Sequence, residues 1–481
     1  MDGTQPKNHK KALIAGIIVI IVIVAALGVI EFHRPAQKQN LVIMVDSGSM
    51  TSSYLKAVGT SFEKSHPNVN VEIDSVGYSD MVTTATSTLK GGSSTPSIFM
   101  YYASQSPDLA PLLYNLNSTM GRQYLSASNF VAGDLASGSF APNGTGSGTN
   151  FIGVPIHTVL GYILVYNKTV FENTTLQNGF YSTYHFHMNP KDLKNWTQMN
   201  EVAKYISENT NFNGKNNKYA FMVPDSSSHS IIDMFYNLFY PYGVGKSATG
   251  IPANSSANYW TYFGINNSKV SISYNNTYGV QALKMYKNIT QYEPSVSTQP
   301  IGYDQQELYF GTGDYAMGLA WSSFIPTYEN SSSKVKNDLG VALLPGNYTG
   351  YSPTFLGVNP HAQNLTLVLQ FLKYATSSSE FDMGINDYAY VPSTYTGLNE
   401  ASHLANFTWL SSLNNYSKTI KLDTNYTEIF LKASPLFSTL IPDFNSQVYD
   451  YLTGSQTSAI TALNTAAKEW ASELKDQNIQ L

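Results

Sequence analysis

Apolar runs and amphipathic stretches alternate along the chain after residue 40. Residues 41–45 form a continuous apolar run, which is typical of a buried parallel strand, and residues 69–73 alternate apolar and polar side chains as a second strand would. Apolar side chains recur at helical spacing over 54–62 and again over 81–89, and residues 97–101 form a third strand-like run. This β-α-β-α-β order predicts an open parallel α/β sheet, whose ligands bind beyond the carboxyl ends of the strands.

An uncharged apolar segment lies near the amino terminus. Residues 12–30 are 19 positions without a charge, and at about 1.5 Å per residue a helix of this length just spans a membrane. Lysines precede the segment, and positively charged flanks stay in the cytoplasm. We therefore expect residues 1–11 in the cytoplasm, 12–30 as a single-pass signal anchor, 31–40 as a linker and the remainder outside the cell. A cleaved signal peptide is the alternative, although its apolar core usually has only about 7–15 residues.

The composition limits the classes of function. Of the 481 residues, 42% are hydrophobic, which is enough for a sizeable core, whereas only 12% are charged. The absence of cysteine excludes thiolate metal sites, cysteine nucleophiles and disulfides, and no basic run suggests nucleic-acid binding. Because few carboxylates are present whose protonation would destabilise a fold, we form the hypothesis that the protein faces an acidic medium, as in an acidophile.

Glycosylation sequons are frequent after the apolar segment. Fifteen N-x-S/T sequons occur in the chain, and none precedes residue 30. This distribution is typical of a glycosylated external surface, although a chain rich in Asn and Ser contains many sequons by chance. The candidate glycosylation sites are Asn117, Asn143, Asn173, Asn254, Asn266, Asn275, Asn330, Asn347, Asn406, Asn415 and Asn425.

Four short motifs follow one another along the chain. They are SFEK at 61–64, GVP at 153–155 with YNK at 166–168, FGTG at 310–313 with Trp321, and LTG at 452–454. Through these motifs, and over about residues 41–475, the chain resembles the family 1 extracellular solute-binding proteins of ABC transporters. That family contains the receptors for maltose and other sugars.

The resemblance implies both a fold and a function. The expected fold is a two-lobed periplasmic-binding-protein-like α/β fold, with an open sheet in each lobe, hinge crossovers between them and one N-terminal transmembrane helix. Lobe 1 would hold 41–156 plus 358–388, and lobe 2 would hold 157–357 plus 389–481. A small ligand, here a sugar or oligosaccharide, would be clamped in the cleft between the lobes and delivered to an ABC permease in the membrane. No cofactor is implied, and the protein would not be an enzyme.

The candidate ligand-binding residues come from the strand ends and from the resemblance. Trp321 follows the Ala-Met strand, where similar proteins place a tryptophan that stacks on sugar. Tyr78 and Tyr102 end the second and third predicted strands, and Ser47 and Ser49 follow the first. For each of them, ordinary packing in the core or on the surface is the alternative. The other candidates lie at the predicted hinge and crossovers: His157, Phe355 and Tyr388.

Three other functions fit parts of the sequence. The segments 46–50 and 77–79 look like the serine-bearing loops of molybdate or sulfate receptors, in which hydroxyl and N–H groups cradle an oxyanion. A structural or adhesive surface glycoprotein would also carry many sequons. A secreted glycosidase would need two carboxyl groups roughly 5–10 Å apart in a cleft.

Two motifs come close to metal and nucleotide sites without matching them. After the first strand, Asp46 is followed by Ser47 and Ser49, one residue short of the D-x-S-x-S spacing that converges on Mg²⁺. The GKS at 245–247 lacks the glycine that a phosphate loop requires at position 240, which is tyrosine. Neither HExxH nor GxSxG is present, so neither metal binding nor enzymatic activity is supported.

Overall fold

A computed structural model describes most of the chain after the amino-terminal segment. The described residues are 38–47, 50–131, 134–135, 138–139, 151–209, 218–228, 230–239, 241, 262–266, 269–347, 351–388, 390–394, 396–397, 437–476 and 481. The predicted anchor at 12–30 lies outside them, and none of the helices within them is both long and apolar enough to cross a membrane.

Twelve strands form three sheets within the described residues. They are β1 (Gln39–Asp46), β2 (Val69–Val76), β3 (Ile98–Tyr102), β4 (Gly153–Leu160), β5 (Ile163–Asn167), β6 (Tyr219–Met222), β7 (Phe263–Asn266), β8 (Lys269–Ile272), β9 (Tyr315–Ala320), β10 (Leu339–Ala342), β11 (Tyr351–Val358) and β12 (Val391–Pro392).

The longer helices cover the two larger sheets. They are α1 (Met50–Ser65), α2 (Met81–Lys90), α3 (Thr174–Tyr184), α4 (Trp196–Glu208), α5 (Ser230–Phe239), α6 (Thr277–Ile289), α7 (Tyr303–Tyr309), α8 (Leu365–Ala375), α9 (Ser378–Tyr388), α10 (Phe437–Thr453) and α11 (Ala459–Asp476).

Asparagine side chains begin several of these helices. Asn173 accepts a hydrogen bond from Leu176 N at 3.0 Å at the start of α3. Asn195, Asn276 and Asn364 make equivalent bonds at the starts of α4, α6 and α8. Such a cap satisfies a backbone N–H that has no partner inside the helix and contributes on the order of 1 kcal/mol. The high asparagine content of the chain therefore helps to define where its helices begin.

The larger sheet has six strands in the order β12-β4-β11-β3-β1-β2. β1 pairs in parallel with β2 and β3, and α1 and α2 connect these strands, so the predicted β-α-β-α-β order is confirmed. β11 lies between β3 and β4 and is antiparallel to both. Buried side chains of α1, α2 and α8 complete one hydrophobic core with this sheet.

The smaller sheet has four strands in the order β10-β5-β9-β6. β5 is antiparallel to β9 and β10, whereas β6 is parallel to β9. Helices α3 to α6, α10 and α11 contribute to a second hydrophobic core on this sheet. The remaining pair, β7 and β8, forms a separate two-stranded sheet.

The two sheets belong to two lobes that the chain connects more than once. The chain passes from β4 in the larger sheet to β5 in the smaller one, and it returns from β10 to β11. The predicted lobe boundary at 156/157 falls within β4, and that at 357/358 falls at the end of β11, although both strands pair in the larger sheet up to residues 160 and 351. The exact lobe limits stay a prediction.

Candidate ligand-binding site

Three side chains meet where the strands of the larger sheet end. Asp46 is the last residue of β1 and is only 7% exposed. Tyr102, the last residue of β3, donates a hydrogen bond from its hydroxyl to Asp46 Oδ2 at 2.9 Å. The ring of Tyr78, just after β2, lies 5.6 Å from the Tyr102 ring. The parallel strands thus bring two predicted tyrosines and one carboxylate to a single edge of lobe 1.

Trp321 follows the last residue of β9 and lies where the lobes meet. Its half-buried side chain packs against the hydrophobic cores of both the larger and the smaller sheet. The ring of Tyr162, from the crossover between β4 and β5, is 5.4 Å away, and that of Tyr303 is 6.0 Å away. Trp321 is therefore surrounded by aromatic rings at the junction of the lobes.

A second tyrosine–aspartate pair lies in lobe 2. Tyr303 begins α7, and its hydroxyl donates a hydrogen bond to Asp233 on α5. Burial raises the pKa of Tyr303 well above its ordinary value, and Asp233, Tyr162 and the lobe 1 residue Tyr78 add to that rise. This electrostatic effect of Tyr78 on Tyr303 relates the tyrosine edge of lobe 1 to the tyrosine–aspartate pair of lobe 2.

We call this set of residues the interlobe cluster. Its members are Asp46, Tyr78, Tyr102, Tyr162, Asp233, Tyr303 and Trp321. The aromatic rings offer flat apolar surfaces, and the carboxylates are strong hydrogen-bond acceptors. No group of three or more His, Asp or Glu side chains that could hold a metal ion occurs among the described residues.

Sequence reasoning identified only part of the interlobe cluster. It named Trp321, Tyr78 and Tyr102 as candidates and considered Asp46 for a metal site, but it missed Tyr162, Tyr303 and Asp233. The hydrogen bond between Tyr303 and Asp233 spans 70 positions of sequence, and no motif links the two residues.

His157 lies in a different aromatic group. It is 1% exposed, and its ring stacks on that of Tyr390 with centroids 3.7 Å apart. Its Nε2 lies 3.3 Å from Thr51 Oγ1, and burial lowers its pKa to about 3, so the imidazole is neutral over most of the acidic range. These contacts tie β4 to α1 and to the segment beside β12, which is a packing role.

Tyr388 belongs to the same group as His157. Its ring lies 5.8 Å from that of Tyr390 and 5.5 Å from that of Tyr54, and its hydroxyl donates to Ser53 O at 3.3 Å. The structure therefore does not bring Tyr388 to the interlobe cluster.

The remaining predicted residues have separate locations. Phe355 has no exposed surface and lies in the core of the larger sheet, with its ring 5.3 Å from that of Tyr101, because β11 is an interior strand. It therefore offers no surface to a ligand in this structure. Ser47 is exposed just after β1, and its backbone N donates to Val76 O at 2.9 Å. Ser49 lies outside the described residues.

The glycosylation candidates are scattered. Asn330 and Asn347 are exposed, whereas Asn117, Asn173 and Asn275 are partly buried. Asn266 lies in β7. The others lie outside the described residues: Asn143, Asn254, Asn406, Asn415 and Asn425. Glycosylation at any of these sites stays a prediction.

A groove of about 400 Å³ lies elsewhere in lobe 2. It is lined by Tyr166, Glu172, His187 and Asp192, among others. None of these residues belongs to the interlobe cluster, so the groove is separate from the candidate site.

Comparison with known proteins gives one family and one fold. The model of a family described as bacterial extracellular solute-binding protein matches residues 57–402. No curated protein is significantly similar to the chain in sequence.

Several solved structures share the fold at low sequence identity. A T. maritima protein with bound maltose has a TM-score of 0.67 at 15% identity, covering 90% of this chain and 100% of its own. A solute-binding protein from Agrobacterium vitis S4 with bound D-mannitol has a TM-score of 0.66 at 16% identity, covering 91% of this chain and 99% of its own. UgpB from Mycobacterium tuberculosis, in complex with glycerophosphocholine, has a TM-score of 0.67 at 14% identity, covering 92% of this chain and 99% of its own.

Proposed function

The chain belongs to the bacterial extracellular solute-binding protein family, and from this premise we propose that it captures a sugar or oligosaccharide between its lobes for an ABC permease. Members of this family bind solutes, so the chain is a binding protein and not an enzyme. The expected two-lobed α/β fold is confirmed by the two sheets and by the similar structures. The ligand class, the site residues and the permease are parts of the proposal.

The observation that carries the proposal is the interlobe cluster itself. A sugar presents hydroxyl groups around its rim and C–H groups on its faces. Trp321 and Tyr303 are only partly buried and provide aromatic surface for those faces, whereas the fully buried Tyr162 packs against Trp321. Asp46 and Asp233 accept hydrogen bonds from tyrosine hydroxyls and have further acceptor capacity for ligand hydroxyls. Proteins of the same fold are named for bound maltose and D-mannitol, which is consistent with a polyhydroxylated ligand.

The oxyanion alternative has less support. A nest for sulfate or molybdate needs free N–H groups after β1 and β2. The N–H of Ser47 is used in a hydrogen bond to Val76 O, and two carboxylates lie in the cluster, where they would repel an anion. We therefore favour a neutral, hydroxyl-rich ligand.

Capture would require the lobes to move. Because Trp321 packs against the cores of both sheets, a ligand that occupies the cluster can favour the closed arrangement of the lobes. An adhesive surface glycoprotein would have no such ligand-dependent closure. The predicted anchor at 12–30 would keep the receptor beside its permease and raise its effective concentration there.

A thermal-shift screen of the full-length protein in detergent tests the proposal. The panel contains maltose, longer maltooligosaccharides, mannitol, glycerophosphocholine, sulfate and molybdate. A ligand whose free concentration is about 100 times its Kd stabilises the folded protein by about 2.7 kcal/mol. We therefore expect a clear rise in Tm with at least one sugar or polyol. A rise with the oxyanions alone would refute the proposal, and the absence of any change in radius of gyration on binding would refute lobe closure.

A further inference from the structure

Two acidic side chains of lobe 2 are buried beside each other. Asp225 follows β6 and has no exposed surface, and Glu293 follows α6 and is 8% exposed. Asp225 Oδ1 accepts a hydrogen bond from Ile301 N at 2.6 Å, and Glu293 Oε2 accepts one from Val223 N at 2.7 Å. Asp225 is therefore bonded to the segment that follows Glu293, and Glu293 is bonded to the segment that precedes Asp225.

The second oxygen of each carboxyl group accepts no such hydrogen bond from the backbone of the described residues. Asp225 Oδ2 and Glu293 Oε1 are buried, and no N–H or O–H within the described residues donates to either. Each side chain changes the pKa of the other, so the two carboxyl groups lie close together. Two adjacent buried anions would repel each other, and neither could donate a hydrogen bond to the unpartnered oxygen of the other, so protonation of one of the two groups is favoured.

The groups that surround the pair favour this shared proton. Burial raises the pKa of Asp225 to about 7 and raises the pKa of Glu293 well above its usual range, to which the Asp225 charge adds. The ionisable groups that face the pair are tyrosines, namely Tyr286 on α6 and Tyr315 on β9. Tyr162 and Tyr262 act in turn on Tyr286. No Lys, Arg or His of the described residues acts on either carboxyl group.

Short chain segments connect the pair to part of the interlobe cluster. The segment 223–226 leads towards α5, which carries Asp233, and residues 301–302 lead into α7, whose first residue is Tyr303. These segments are also joined by hydrogen bonds from Asp225 N and Ser226 N to Ile301 O, at 2.9 and 3.0 Å. The position of Ile301 is thus fixed two residues before the tyrosine that bonds to Asp233.

We propose that Asp225 and Glu293 are positioning residues whose shared proton holds Tyr303 and Asp233 in their binding geometry. When the pair loses that proton, repulsion between two buried carboxylates separates the segments 223–226 and 293–302. The lobe 2 half of the site is then displaced, and ligand affinity decreases as the pH rises. The inference depends on the proposed function only for its effect on a ligand.

Amide variants test the role of the proton without removing the hydrogen bond. In Asp225→Asn the amide oxygen can still accept from Ile301 N, and the amide NH₂ can donate to Glu293 at every pH. In Glu293→Gln the same exchange is made from the other side. Asp108→Asn is the matched control, because burial raises the pKa of Asp108 to about 6 at a site in lobe 1 outside the cluster.

The first measurement needs no ligand. Trp321 emission, taken as the difference between the wild-type protein and Trp321→Phe, is followed from pH 5.5 to 8.5. We expect it to change in the wild-type and Asp108→Asn proteins, because the neighbouring Tyr303 moves, and to stay constant in Asp225→Asn and Glu293→Gln. Constant emission in the wild-type protein, or an unchanged pH response in both amide variants, overturns the inference whether or not any sugar binds.

The second measurement uses the sugar or polyol that gives the largest thermal shift. Its Kd should rise about tenfold over the same pH range in the wild-type protein, and less than twofold in the amide variants. A Kd independent of pH in the wild-type protein overturns the inference and leaves the proposed function intact. If no sugar or polyol binds, the proposed function fails, and the emission measurement alone decides the role of the pair.

Discussion

Replacing Asp225 by Asn should change the pH dependence of stability in a direction that the structure fixes. Burial raises the pKa of Asp225 from its ordinary value of 3.8 to about 7 in the folded protein. A group with a raised folded-state pKa binds its proton more tightly in the folded state than in the unfolded one. Its contribution to stability is complete below pH 4 and is lost as the pH rises through about 7.

The magnitude follows from linkage. Each pH unit between the unfolded and folded pKa values corresponds to about 1.4 kcal/mol. Between pH 5 and pH 8.5 the wild-type protein should therefore lose roughly 3 kcal/mol that Asp225→Asn does not lose. Within the described residues, every carboxyl group with a resolved pKa shift is shifted in the same upward direction: Asp108, Asp225, Glu293, Glu307, Glu329, Glu380, Asp443 and Glu469.

His157 changes the stability with pH in the direction opposite to Asp225. The pH profile of the wild-type protein alone therefore does not isolate the contribution of Asp225, and the comparison with Asp225→Asn is needed. Burial lowers the pKa of His157 from 6.5 to about 3, so its contribution is present above pH 6.5 and decreases as the pH falls. The effect is common to wild-type and Asp225→Asn proteins and cancels in their difference. Urea unfolding at pH 5, 7 and 8.5, followed by circular dichroism, measures that difference. Identical pH profiles for the two proteins would refute the assignment of a buried, protonated pair.

Three further predictions concern single side chains. Trp321→Ala should weaken sugar binding at least about tenfold in calorimetry. The control Tyr181→Ala, at a tyrosine that is 46% exposed, should leave the Kd unchanged. If Trp321→Ala binds the sugar as tightly as the wild-type protein, Trp321 is not part of the site. Phe355→Ala should cost about 3–5 kcal/mol in urea unfolding because Phe355 is fully buried, and a large loss of affinity at unchanged stability would contradict its core position. As the pH is lowered from 6.5 to 5, the free energy of unfolding of His157→Asn should rise by roughly 2 kcal/mol relative to that of the wild-type protein, because the variant has no imidazole to protonate on unfolding. If the two free energies of unfolding change in parallel with pH, His157 is not buried in the neutral form.

The parts of the fold that periodicity governs could be predicted from sequence. The stripe of Tyr54, Leu55, Val58 and Phe62 is buried on one face of α1, and the predicted strand before it is β1. Local spacing determines which face of a helix is apolar, so one sequence is enough to find it.

Contacts between distant segments could not be predicted in this way. Trp321 was identified because its position after the Ala-Met strand resembles a known family, but Tyr303 and Asp233 have no local signal. Phe355 lies near a crossover, as expected, yet β11 lies between β3 and β4, so its side chain enters the core. Sheet order decides that outcome, and strand periodicity does not encode it.

The asparagine caps have a practical consequence for removing glycans by mutagenesis. Asn173, Asn195 and Asn364 each begin a sequon and also accept a hydrogen bond from the first turn of a helix. The usual substitution of the asparagine by glutamine or alanine would remove both the sequon and the side-chain cap of the helix. Thr175→Ala, Thr197→Ala and Thr366→Ala remove the same sequons at their third position and leave every cap in place.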